Sequence, residues 1–149
     1  MRIDIIKNKL KAIEENVDLV KENLPEEIKE FIELGLIKDG IYKRIEASIQ
    51  DVINICSIIN SDLNLGIPSN RDEIINALVK NKIISEDMGK KVKELKGFRN
   101  FLVHRYGKIQ YEIAFKDIKK GITDFKDFKN EILQSLNTIK EKEKDKNKI

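Results

Sequence analysis

The stretch "GFRNFLVHRYGKI", residues 97–109, gathers the side chains best suited to chemistry. It contains His104, the chain's single histidine, with Arg99, Asn100, Arg105 and Tyr106 close by. Histidine titrates near neutral pH and can move protons. Arginine can fork onto two phosphate oxygens and stabilise growing negative charge. Asparagine can orient a histidine or a ribose by hydrogen bonding. Together these residue types suit work on a phosphodiester. RNA supplies its own nucleophile, the 2′-hydroxyl, so the minimum requirement is a base for that proton and a cation for the phosphorane. A separate acid for the leaving oxygen would come from a second chain, because each chain has one histidine; that favours a symmetric dimer. The other reading of the same residues stays open. A lone histidine near a helix end also serves as a hydrogen-bonded or capping group, and Arg99, Arg105 and Lys108 also suit a solvated face.

Spacing constrains the cluster. On one helix, Asn100 and His104 share a face. Arg99 and His104 are five residues apart, about 500° of rotation or roughly 140° around the axis, so an ideal helix does not stack them. Gly107 predicts a helix end there, which would let the segment from His104 to Tyr106 deviate and would set His104 among carbonyls that favour its protonated form. A second polar group, Glu46, Gln50 and Asn54 at steps of four, crosses an otherwise apolar helix. Such groups need partners or a water-filled cleft. Glu46 is placed to orient Arg99; an ordinary exposed stripe is the alternative.

The elements that must position these residues read as an all-α, up-and-down helical bundle of about five to seven helices. Apolar residues recur at steps of three and four, and two prolines and seven glycines are all that interrupt the 149 residues. Ile3, Ile6, Leu10, Ile13, Val17, Val20 and Leu24 form a seam on the first helix. Pro25 suits the first turn of a short second helix ended by Gly35. Asp39 is the expected cap of a third, running to about Leu63 and apolar most of the way round, hence central. Asn70 or Ser69 caps a fourth and Ser85 a fifth that carries the cluster. A last region from Ile113 to Ile139 closes the bundle, with Gly121 as a possible kink. Residues 1–138 form one domain; the charged tail 139–149 is expected to fray.

Composition excludes several classes. The 40% hydrophobic and 37% charged content is that of a folded chain with charged helix faces, and a net charge of +3 alone does not argue for nucleic acid. A single cysteine, Cys56, allows no internal disulfide and no cysteine-rich zinc site, and with one histidine there is no histidine-pair metal motif. Its apolar run makes Cys56 a small core residue. No apolar run approaches the ~20 residues needed to span a bilayer, and the N-terminus is not a secretory signal, which points to a cytoplasmic protein without a membrane partner.

"GFRNFLVHRY" resembles the signature of HepT-like toxins of the HEPN superfamily: Arg, four residues, His, one residue, Tyr, here Arg99, His104 and Tyr106, with the usual Asn at Asn100. "RIEASIQDVINICSII" is similar to the family's helix with a polar stripe, and "IPSNRDEIINALVKNKIISEDMGKKVKELKGFRN" to the segment leading into its motif, so the resemblance covers residues 1 to about 138. Asn54 departs from it, standing where relatives often have Asp. The resemblance implies an all-α homodimer whose motifs meet at a cleft. It further implies a metal-independent endoribonuclease without cofactor, acting on an RNA such as tRNA or mRNA. Such a protein is the toxin of a type VII-like toxin–antitoxin pair, beside an MntA-type nucleotidyltransferase antitoxin. In that setting Arg99, Asn100 and His104 are catalytic, Glu46, Gln50 and Asn54 support them, and Tyr106 accepts the inactivating AMP. The fold alone does not choose between this and a non-catalytic dimeric module that binds a nucleotide or docks a nucleotidyltransferase.

Overall fold

The computed structural model describes residues 1–104 and 109–147. Among them are six helices and no strand: α1 (Ile3–Asn23), α2 (Ile28–Ile32), α3 (Leu36–Asp62), α4 (Arg71–Lys80), α5 (Glu86–His104) and α6 (Ile109–Asn147). The all-α expectation holds. On α1 the seam buries Ile6, Leu10, Ile13, Val17 and Val20, each side chain worth about 1.5–3 kcal/mol of transfer free energy. α3 is central: its buried Ile41, Ile45, Ile49, Val52, Ile55 and Ile59 face several neighbours. Cys56 lies in that core, where burial pushes its thiol up to about 12, as suits an inert hydrophobe.

Polar ties at the helix surfaces fix the directions. Arg2 binds Asp62 through two guanidinium nitrogens, and Arg44 Nη1 donates to Asn16 Oδ1 at 2.8 Å, so α1 and α3 run antiparallel. Lys119 donates to the Glu26 carbonyl and Lys129 to Glu14, which sets α6 antiparallel to α1. α5 is antiparallel to both α4 and α6: Lys93 and Lys96 reach back to Asn76 and Asp72, while Lys91 reaches Asp127 and Lys120 reaches Glu94.

Local chemistry explains most boundaries. Asn70 caps α4 by accepting from the Glu73 amide at 3.0 Å, and the Glu73 carboxylate accepts from the Ser69 amide at 2.7 Å. Ser85 Oγ accepts from the Met88 amide at 3.0 Å at the start of α5. Three expectations need correction. Pro25 precedes α2, which begins at Ile28; Phe31 from that short helix then packs against Tyr42 and Phe115. α3 begins at Leu36, capped by Gly35 with φ of 61°, and Asp39 sits inside its first turn. The turn is held by Lys38, whose ammonium donates to the Ile32 carbonyl at 2.9 Å and stands 4.1 Å from the Tyr111 ring centre. Gly121 does not divide α6, which continues through the stretch expected to fray, as far as Asn147. The exposed Lys and Glu residues there are good helix formers. The predicted helix end at Gly107 lies outside the described residues.

Candidate functional site

Three of the sequence-predicted residues, Arg99, Asn100 and His104, fall in the last two turns of α5 as described. Asn100 is exposed. Arg99 is half-buried, and its Nε is a buried donor without a hydrogen-bond partner. An unmet buried donor costs about 1–3 kcal/mol and is rare in native proteins, so this one asks for an acceptor from outside the described residues. The His104 side chain and all of Arg105, Tyr106, Gly107 and Lys108 lie outside them.

Packing on either side holds this part of α5. Phe98 and Leu102 are buried, and the rings of Phe98 and Phe101 stack with centres 6.1 Å apart. Val103 is 51% exposed, so the surface around the motif mixes apolar and polar groups.

Glu46, Gln50 and Asn54 lie half-buried along α3, which packs against α5. Gln50 Nε2 donates to Asn54 Oδ1 at 2.8 Å, so these two are brought together and neither is a bare exposed stripe. The bond also shows what the asparagine does here: it accepts as a neutral amide. The expected pairing of Glu46 with Arg99 does not form: no ion pair joins them among the described residues. Glu46 sits on a helix whose residue register, not whose composition, decides what it can reach. Among the described residues no group of three His, Cys, Asp or Glu is arranged to hold a metal ion, and no helix is long and apolar enough to cross a membrane.

Sequence reasoning missed Asp124. It is a carboxylic acid only 4% exposed on α6, facing the α5–α6 groove with Glu94, Asp117 and Lys120. Burial pushes the Asp124 and Asp117 carboxyls above the usual range, against the pull of neighbouring lysines. The native state therefore binds these protons more tightly than the unfolded chain. The favourable contribution is present in acid and is lost as pH rises through the raised values. The signal was available: Asp124 lies three residues after Gly121 and four before Phe128, both buried, so it shares the inward face of α6.

Comparison with known proteins agrees with this architecture. The model of the HepT-like family, described as ribonuclease HepT-like, matches residues 13–132. The chain belongs to that family. It is 24% identical to the mRNA nuclease HepT of Shewanella oneidensis over 125 residues, covering 84% of this chain and 93% of that protein. Its fold is similar to that of the tri-AMPylated Shewanella oneidensis HEPN toxin in complex with MNT antitoxin, with a TM-score of 0.78 at 24% identity, covering 88% of this chain and 98% of the other. A crystal structure of a mutant MntA–HpeT toxin–antitoxin is similar too, with a TM-score of 0.80 at 24% identity and the same coverage, 88% and 98%.

Proposed function

We propose that this protein is a toxin endoribonuclease that cleaves RNA by attack of the 2′-hydroxyl, without a metal ion. The observation that carries the reading is the Arg99 guanidinium, half-buried on α5 with its Nε lacking an acceptor, in a chain of the ribonuclease HepT-like family. A phosphate oxygen is an acceptor of the right charge for it. In the proposed reaction His104 takes the 2′-OH proton as the oxygen attacks the adjacent phosphorus. Arg99 stabilises the phosphorane, Asn100 orients its partners, and the 5′-oxygen leaves with a proton from the second chain's His104. The product is a 2′,3′-cyclic phosphate. Glu46, Gln50 and Asn54 support the site as polar groups of the neighbouring helix. We propose further that the working form is a homodimer regulated by a nucleotidyltransferase antitoxin of the MntA type. That enzyme would transfer AMP to the Tyr106 oxygen with release of pyrophosphate. The added phosphate would sit beside Arg99 and His104 and repel RNA.

The test is purified protein incubated with total RNA in EDTA, beside His104→Ala. Cleavage by the parent and none by the variant is expected. Equal cleavage by both, or dependence on added magnesium, would sink the mechanism. Co-incubation with the partner enzyme and ATP should add AMP to the parent but not to Tyr106→Phe.

A further inference from the structure

We infer that the groove between α5 and α6 contains a binding pocket for an organic cation, a guanidinium or alkylammonium group seated on Asp124 and Asp117. The cavity measures about 300 Å³, enough for the end of a long basic side chain or a short polyamine. Leu95 and Phe98 from α5 and Gly121 from α6 give it apolar walls, and Phe98 offers a ring to a cation. Its charged lining consists of Glu94, Asp117, Asp124 and Lys120. Among the described lining residues carboxylates outnumber ammonium groups three to one, with Lys91 and Lys116 acting on Asp124 and Asp117 from outside the pocket.

The lysines nearby are already engaged. Lys120 is bound to Glu94, and Lys91 lies between Asp87 and Asp127, at 3.2 Å and 3.4 Å. Asp124, 4% exposed, has neither a hydrogen bond nor an ion pair among the described residues. A buried carboxylate facing a cavity, with no donor of its own, is matched by a ligand that brings donors and positive charge. Burial pushes the carboxyls of Asp117 and Asp124 up, and a cation bound between them would oppose that shift. No three-carboxylate geometry for a metal ion exists among the described residues, which leaves the forked donors of an organic cation as the better fit. Phe98 of the motif stretch lines the pocket, but neither Arg99 nor Asn100 does, and the test does not depend on RNA cleavage.

The experiment is calorimetric titration of the full chain at neutral pH with agmatine, with spermidine and with capped arginine, beside Asp124→Asn and Asp117→Asn. Saturable binding of at least one of these, weakened at least about tenfold in both variants, is expected. Tighter binding of capped arginine would assign the pocket to a side chain from a partner protein; tighter binding of spermidine or agmatine would assign it to a free small cation. Asp117 is only half-buried, so its variant keeps the test valid if Asp124→Asn does not fold. Absence of saturable heat, binding unchanged in folded variants, or a response to magnesium alone would overturn the proposal.

Discussion

The two halves of α5 are built differently. From Glu86 to Lys96 most charged groups have a partner: Asp87, Lys91, Lys93, Glu94 and Lys96 are all engaged. Ser85 caps the helix and is itself held by both carboxylate oxygens of Glu131 on α6. Lys91, Lys93 and Lys96 each reach a partner on a neighbouring helix, and Gly89 lets α4 approach so closely that a Cβ there would come within 2.6 Å of Val79. From Gly97 onward the pattern reverses. Gly97 has open space around its Cα, Asn100 is exposed, and Arg99 keeps an unmet buried donor. One half is satisfied by partners on neighbouring helices; the other carries the one buried donor, Arg99 Nε, that stays unmet among the described residues.

That contrast can be broken by mutation. The largest expected effect is on chemistry: His104→Ala should lower RNA cleavage by about 10²–10⁴-fold, while Lys93→Ala in the satisfied half leaves the rate unchanged, both read in a cleavage assay. Next, Gly89→Leu should overpack the α4 contact and cost about 1–3 kcal/mol in urea unfolding. Ser85→Ala should cost about 1 kcal/mol through the lost cap, with the hydroxyl bond to Glu131 gone and the backbone bond to it kept. Gly97→Ala reverses the sign: with nothing within 4 Å of where its Cβ would sit and a helix to favour, it should gain about 0.5–1 kcal/mol. Equal losses at Gly89 and Gly97 would erase the distinction between the halves. A subtler effect concerns Asp124→Asn. Native stability should fall in the parent as pH rises through the raised Asp124 value, and thermal midpoints of the variant should depend on pH less steeply over that window.

Much of the architecture was legible because its causes are local. The α1 seam buries as its spacing requires, and Asn70 and Ser85 cap their helices with atoms three residues away. The misreadings share a different cause. Asp39 is a good capping type, but α3 starts earlier because Gly35 reverses the chain at positive φ and Lys38 ties that turn to Ile32. Gly121 suggested a break, yet α6 continues past it, with Leu95 of α5 packed 3.6 Å from where its Cβ would be. For the site, residue types marked Arg99, Asn100 and His104, and spacing marked the polar stripe of α3. Neither could show that Glu46 leaves Arg99 unpaired, or that Asp124 faces a cavity.

By itself the sequence determined the helical class, the caps at Asn70 and Ser85, and which residues have the chemistry for phosphodiester work. Those depend on side-chain type and on neighbours within one or two turns. The tertiary structure alone decided which charges are answered. Lys119 meets Glu26, Lys129 meets Glu14 and Ser85 meets Glu131 across 93, 115 and 46 residues of chain, while Arg99 Nε and Asp124 meet no partner among the described residues. Such matches depend on how antiparallel helices come into register, and a satisfied surface lysine and a half-buried arginine with an unmet Nε look alike until that register exists.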